Sequence, residues 1–132
     1  MRDGARAASC PCGTGAGFSA CCGRFIESDA LPPTAETLMR SRYSAYSLGH
    51  EAYLLATWHA STRPANVALD PRDKWLGLDV RRHEPDAASP DRAIVEFVAR
   101  VRVLGRAHRL HETSRFVREG GRWYYLDALP SS

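Results

Sequence analysis

All four cysteines of this 132-residue chain lie within thirteen residues near its start. They form two close pairs, Cys10 with Cys12 and Cys21 with Cys22, and the stretch between the pairs is rich in glycine. Four thiolates on so short a tether match the ligand set of a tetrahedral Zn²⁺ ion. Glycine lets the backbone curl tightly enough for both pairs to reach one ion. Because four cysteines leave no open coordination position, we expect one structural zinc ion that takes no part in catalysis.

Disulfide bonds are the competing interpretation, since four cysteines allow three connectivities. A bond within either close pair would close a small, strained ring, whereas the two crossed connectivities are geometrically feasible. Crossed disulfides would require an oxidising compartment. The first nine residues contain no apolar run typical of a signal peptide, and no segment has the length of a membrane span. The sequence therefore favours a reduced, cytoplasmic chain that is not attached to a membrane.

The segment CPCGTGAGFSACCG, residues 10–23, resembles the SEC-C zinc motif, best known from the tail of the bacterial preprotein translocase motor. The resemblance assigns the ligand role to Cys10, Cys12, Cys21 and Cys22. Residues 15–18 read GAGF where the motif usually has Gly-Lys-Lys-Tyr, so the aromatic position is kept and the lysines are absent. The resemblance therefore does not extend to the partners of the translocase itself.

The elements that follow the knuckle begin with helices. Residues 27–33 predict a linker, and Thr34 is placed to cap a helix over 35–48 that ends at Gly49. Apolar residues recur in this helix at three- and four-residue steps, with Arg42 on the apolar stripe and Arg40 pointing away from it. A second helix is predicted from His50 to about residue 59, and a loop from 60 to 74.

The C-terminal half changes to an alternating pattern that predicts four strands, over 75–82, 93–103, 106–118 and 122–127. Leu104-Gly105 and Gly120-Gly121 are two-residue turn signals, whereas the polar segment 84–92 predicts a longer connection. Helices followed by an antiparallel meander predict an α+β fold with the helices on one face of a four-stranded sheet. We place the knuckle in residues 1–27 and the α+β domain in residues 34–132.

The two short turns also predict the register of the sheet. Directly paired residues share a sheet face, so Glu112, Ser114 and Asp127 should lie among apolar side chains on the helix-covered face. Ser114 is expected opposite Asp127, and Phe116 opposite Tyr125. The other face should be cationic and solvated; it would carry Arg100, Arg102, Arg109, His111 and Arg115.

Carboxylates on an apolar face have two explanations. In the favoured one, Arg42 pairs with Glu112 and Ser114 bonds Asp127, because buried charges are ordinarily paired. In the other, one carboxyl has a raised pKa and belongs to a ligand pocket. The candidate pocket residues are Arg42, Tyr46, Trp58, His59, Glu112, Ser114 and Asp127.

Ordered blocks along nearly the whole chain resemble the bacterial YchJ family. They are MRSRYSAY at 39–46, TWH at 57–59, WLGL at 75–78, FVAR at 97–100, ETSRF at 112–116 and GRWYYLD at 121–127. The resemblance implies a SEC-C knuckle followed by a cone-shaped domain of the nuclear transport factor 2-like fold, a cystatin-like roll. It implies no particular biochemical activity.

Two functional classes follow from these observations. The favoured class is a non-enzymatic, zinc-stabilised adaptor whose knuckle or cationic sheet face contacts a protein or ribonucleoprotein partner, because no complete catalytic set is present. The alternative is a small-molecule-binding protein or enzyme that uses the interior of the cone, its ligand unknown. An open, partly polar cavity would favour the alternative, and a filled one the adaptor. The basic residues follow no known reading motif, which argues against sequence-specific nucleic-acid binding.

Overall fold

A computed structural model describes residues 9–129 of the chain. The outer ends of the two predicted domains, residues 1–8 and 130–132, lie outside the described residues. The knuckle contains an isolated bridge between Ser9 and Gly17, a 3₁₀ turn over Phe18–Ala20, and a short helix α1 over Gly23–Ile26. These pieces bring the two cysteine pairs together ahead of the larger α+β unit.

The main helix, α2, spans Ala35–Leu48 and confirms the predicted limits. The Thr34 side chain accepts a hydrogen bond from the Thr37 amide at 3.1 Å, and Gly49 ends the helix at φ 81°. A second helix, α3, spans only Glu51–Ala56, so the predicted end near residue 59 is wrong.

The early end of α3 has a tertiary cause. The Tyr125 amide donates to the Thr57 carbonyl at 2.8 Å, and the His59 amide donates to the Tyr125 carbonyl at 2.8 Å. Trp58 thereby forms a parallel bridge with Tyr125, which holds this segment in an extended conformation. No local sequence pattern predicts that Trp58 pairs with a residue 67 positions away.

The sheet has four antiparallel strands in the order β1-β2-β3-β4. They are β1 over Lys74–Asp86, β2 over Ser89–Val103, β3 over Arg106–Glu119 and β4 over Arg122–Ala128. The predicted long connection over 84–92 is wrong, because β1 and β2 continue as a hairpin up to a short turn at 87–88. Pro85 lies on the edge strand, and Pro90 lies in the irregularity between the pairs Pro85–Ala93 and Asp86–Ser89, both of which are positions where a sheet tolerates proline.

The register between β2 and β3 agrees with the prediction, with Phe97 opposite Glu112. Between β3 and β4, Phe116 lies opposite Tyr125 as predicted, but the pairing of Ser114 with Asp127 is wrong. A β-bulge shifts the register by one residue, so that Arg115 lies opposite Asp127 and Ser114 lies opposite Ala128. Because a one-residue shift moves a side chain to the other sheet face, Asp127 leaves the helix-covered side.

One hydrophobic core joins the knuckle to the cone. The four buried cysteines belong to the same cluster as Leu38 and Tyr43 of α2 and Val95 and Phe116 of the sheet. Among residues 9–129, no helix is long and apolar enough to cross a membrane.

Candidate functional site

The four cysteine thiols form a compact, buried cluster. Every Sγ atom lies within 4.8 Å of the others, and the Sγ atoms of Cys12 and Cys21 are 3.6 Å apart. Zinc–sulfur bonds of about 2.3 Å in a tetrahedron place neighbouring sulfurs about 3.8 Å apart, so the cluster has the size of a metal site. The thiols are free, and their spacing exceeds the roughly 2.05 Å of a disulfide bond.

Backbone turns build this cluster from a short stretch of chain. The Cys10 amide donates to the Ala16 carbonyl at 2.8 Å, and Gly13 turns the chain at φ 86°. Gly23, which begins α1, lies so close to Phe18 that a Cβ atom would sit 2.9 Å from the Phe18 carbonyl oxygen. Glycine is therefore required at both points for the two cysteine pairs to meet.

The pKa values of the cluster's thiols are shifted in different directions. Hydrogen bonding from Cys22 lowers the pKa of the Cys12 thiol to about 4, while the same contact and burial raise the pKa of Cys22. Burial raises the pKa of Cys21 as well. Ionisation of the Cys12 thiol is thus favoured by its neighbours, whereas ionisation of Cys21 and Cys22 is disfavoured. A central cation would stabilise all of these thiolates together.

The cluster is tied directly to α2. The Sγ of Cys10 lies 3.4 Å from the Oγ of Ser44, and the Nη1 of Arg40 donates to the Cys12 carbonyl at 2.9 Å. Arg40 also pairs with Glu36 at 3.0 Å. Arg40, which was predicted to point away from the apolar stripe, thus lies on a side of the helix that the folded knuckle covers.

A pocket of about 260 Å³ lies between α2 and the sheet. Four of the predicted pocket residues line it: Arg42, Tyr46, Glu112 and Ser114. Most of the remaining wall is apolar or aromatic and is formed by Met39, Tyr43, Trp75, Phe97, Ala99, Leu110, Phe116 and Tyr125. Trp75 and Phe97 were not among the predicted pocket residues, although the alternation that places them on the helix-covered face is the signal that identifies them.

Arg42 does not pair with Glu112, so that predicted ion pair is wrong. The Nη1 of Arg42 donates to the Leu54 carbonyl at 2.8 Å and to the Thr57 hydroxyl at 2.7 Å. Its guanidinium lies 5.0 Å from the ring centre of Trp58 and 4.7 Å from that of Tyr125. The end of α3 supplies oxygen acceptors, so Arg42 turns towards that helix.

The inner wall of the pocket therefore carries the positive charge of Arg42. Among residues 9–129, Arg42 forms no ion pair with a carboxylate, although its side chain is only 5% exposed. Burial lowers the pKa of the Arg42 guanidinium. Burial also raises the pKa of Tyr125 to about 12, so this neighbouring phenol is neutral at physiological pH.

Glu112 and Ser114 form the acidic side of the pocket. The Ser114 hydroxyl donates to Oε2 of Glu112 at 2.8 Å, in place of the predicted bond to Asp127. Both residues lie on β3 between Leu110, which is 45% exposed, and the fully buried Phe116. Glu112 is thus nearer the pocket mouth, and Ser114 is deeper.

The other three predicted pocket residues do not line this pocket. Trp58 lies behind it, where its ring contacts Arg42 and the edge of Tyr125. The Nε2 of His59 lies 2.9 Å from Glu119 at the far end of the sheet. Asp127 forms a two-pronged ion pair with Arg115 on the opposite face, and that hydrogen bonding lowers the pKa of the Asp127 carboxyl.

Comparisons with known proteins agree with this geometry. A family model described as "YchJ, middle NTF2-like domain" matches residues 34–128, and a SEC-C motif model matches residues 6–24. A UPF0225 protein of Chromobacterium violaceum is 59% identical over 126 residues, covering 92% of this chain and 93% of that protein. Another, from Methylibium petroleiphilum, is 59% identical over 119 residues, covering 89% of this chain and 85% of that protein.

Two solved structures share the fold. The solution structure of a SEC-C motif containing protein from Rhodopseudomonas palustris is 30% identical, with a TM-score of 0.80, and covers 95% of this chain and 100% of that chain. The crystal structure of a SEC-C motif containing protein from Psychrobacter arcticus is 28% identical, with a TM-score of 0.76, and covers 96% of this chain and 86% of that chain. Both solved structures are thus of SEC-C motif containing proteins and share the fold of this chain over nearly its whole length.

Proposed function

This chain belongs to the YchJ family, with a SEC-C motif ahead of a nuclear transport factor 2-like domain, and we propose that it is a zinc-stabilised protein that binds a small molecule inside the cone. The open pocket between α2 and the sheet is the observation that carries this proposal. An adaptor that used only its outer surfaces would need no such cavity. Small-molecule sites are typically concave, mostly apolar, and contain a few convergent polar groups.

Zinc is the ion that best suits the cysteine cluster. Soft thiolate ligands in a tetrahedral S₄ arrangement select zinc or an iron–sulfur centre, and structural Cys₄ sites are a common zinc arrangement. The four sulfurs are buried and lack an open position for substrate, so the metal has a structural role. We infer that the cluster requires a reducing compartment such as the cytoplasm, where its thiols stay free.

The chemistry of the walls defines the class of ligand. Aromatic rings on both sides of the pocket suit a flat, apolar or aromatic body. Arg42 offers a buried positive charge with no carboxylate partner among residues 9–129, whereas Glu112 offers an acceptor nearer the mouth. The ligand that fits both is an aromatic molecule with an anionic or strongly accepting group at its inner end, and with a hydrogen-bond donor at its outer end.

Native mass spectrometry of the purified chain, combined with a fluorescence titration, tests this function. Trp75 lines the pocket, so its emission reports occupancy. We expect a retained small molecule, or else saturable binding of 2-naphthoate. The neutral 2-naphthamide should bind roughly tenfold more weakly, because a hydrogen bond to a charged group contributes about 1.5–3 kcal/mol.

A matched pair of variants locates the site. Ala99→Phe fills the pocket from its sheet wall and should abolish binding, whereas Asp127→Asn, on the other face, should leave it unchanged. Circular dichroism and a thermal melt establish that both variants are folded. If the wild-type protein neither retains a small molecule nor binds naphthoate, the ligand-binding proposal is excluded and the adaptor becomes the preferred function. Binding that survives in the folded Ala99→Phe variant would place the ligand elsewhere.

A further inference from the structure

Four cations cluster on the outer face of the sheet, on the side away from the pocket. They form what we call the outer patch: Lys74, Arg100, Arg102 and Arg109. We propose that the outer patch binds the phosphate backbone of a nucleic acid without reading its sequence. This activity is separate from the pocket, because the two sites lie on opposite sheet faces.

The register of the sheet concentrates these charges. Lys74 lies directly opposite Arg102, and Arg100 lies directly opposite Arg109, so the patch crosses three strands. Like charges in directly opposed positions of a sheet are destabilising. Gly77 lies opposite Arg100, and no heavy atom lies within 4 Å of where its Cβ would be, so an approaching chain meets little obstruction there.

The acidic residues of the same face are paired elsewhere. Asp79 contacts Arg81 at 2.6 Å, and Asp127 contacts Arg115 at 2.6 Å. Glu96 is shared between Arg82 and His111. Among residues 9–129, no carboxylate forms an ion pair with any member of the outer patch. The face is thus divided into a neutralised region and an uncompensated cationic end.

The chemistry of the patch favours a polyphosphate over the other anionic partners. Three of its four members are arginines, whose planar fork matches phosphate oxygens in pairs. A protein partner ordinarily requires an apolar centre in its interface, and the apolar neighbours of the patch on this face are the small Ala107, opposite Arg102, and Val98, which is only 1% exposed. A second copy of the chain would present the same positive charge and be repelled. A phosphate backbone needs only the cations.

Fluorescence anisotropy with a labelled oligouridylate of about 12 nucleotides tests the proposal, since single-strand sites span about 4–16 nucleotides. We expect binding at about 50 mM salt that weakens steeply at about 200 mM, as counterion release requires. The double variant Arg100→Ser/Arg109→Ser should weaken binding about tenfold or more. These residues are exposed, so the variant is expected to remain folded.

The matched control removes the same charge from elsewhere on the surface. Arg72 and Arg118 are exposed or half-buried and are paired with Asp70 and Asp91, so Arg72→Ser/Arg118→Ser should weaken binding by less than about threefold. Absence of RNA binding at low salt would overturn the proposal, as would equal losses in the two double variants. Polyglutamate that competes as well as the RNA at equal charge would instead indicate an acidic protein partner, which also overturns it.

Discussion

Arg42 shows how one side chain can be placed correctly by a sequence pattern and still have unexpected partners. Helical periodicity puts it on the buried stripe of α2, where it is found. The nearest oxygen acceptors come from the end of α3, which no local pattern announces. Its two aromatic neighbours provide cation–π contacts in place of an ion pair.

Substitution of Arg42 should therefore destabilise the fold independently of Glu112. Arg42→Met removes the two hydrogen bonds that Arg42 donates to the Leu54 carbonyl and the Thr57 hydroxyl and should lower the free energy of unfolding by about 1–3 kcal/mol. Glu112→Ala leaves the buried Ser114 hydroxyl without its acceptor and should cost about 1 kcal/mol. Urea denaturation of the wild type, both single variants and the double variant measures these values.

A double-mutant cycle separates the two arrangements. We expect a coupling free energy near zero, since Arg42 and Glu112 form no ion pair. A coupling above about 1 kcal/mol would show that the two charges interact directly and that the predicted pair exists after all.

Asp127 gives a pH-dependent prediction. Arg115 lowers the pKa of the Asp127 carboxyl in the folded state, so the pair stabilises the protein above the unfolded pKa of about 3.9. That contribution is lost as the pH falls through the lower, folded pKa. Asp127→Asn should thus cost less than about 1 kcal/mol at pH 7, because the pair is exposed, and a smaller amount at pH 2. Melting temperatures compared across this range test it, and an equal difference at both ends would contradict the assignment.

At the level of elements, features set by local sequence were predicted correctly, whereas features set by tertiary contacts were not. Capping by Thr34 and Gly49 and the turns at 104–105 and 120–121 set the limits of α2 and of two hairpins, as the structure confirms. The bulge beside Phe116 could not be predicted, because a single inserted residue leaves the alternating pattern on either side intact. That one residue decides whether Asp127 belongs to the pocket.

The β2–β3 turn contains backbone strain that can be removed. Leu104 adopts φ 53° and is 77% exposed, whereas Gly105 at φ 80° is the residue usual in such a turn. A left-handed conformation costs most residues roughly 1–2 kcal/mol, and asparagine tolerates it better. Leu104→Asn should therefore raise the free energy of unfolding by about 0.5–1 kcal/mol, and Gly105→Ala should lower it by a similar amount or more. Urea denaturation measures both, and destabilisation by Leu104→Asn would indicate that the leucine makes a contact worth more than the strain.

At the scale of the whole molecule, the knuckle and the cone share one core. If the predicted knuckle of residues 1–27 were a separate unit, metal removal would disorder only residues up to about Gly23. The contacts of Cys10 with Ser44 and of Arg40 with the Cys12 carbonyl argue for a wider effect. Helix α2, which receives those contacts, also forms one wall of the pocket.

Metal content is the first whole-molecule prediction. The reduced wild-type protein should carry one zinc ion per chain, and Cys21→Ser should lose it, since three remaining thiolates bind much more weakly. Elemental analysis after gel filtration measures this ratio, with Thr14→Val, beside the cluster but not a metal ligand, as the control that retains zinc. Equal zinc in the wild type and Cys21→Ser would contradict the assignment of the ligands.

Hydrogen exchange of the α2 amides, measured by mass spectrometry before and after chelation of the metal, tests most directly whether the metal supports the cone. We expect exchange to accelerate both in residues 10–26 and in residues 35–48, because the metal-free knuckle can no longer hold Ser44 and Arg40 in place. Strand β3, which has no such contact, should change less. Faster exchange confined to residues 10–26, with α2 as protected as in the metal-bound protein, would show that the knuckle is an independent appendage and that the pocket does not depend on it.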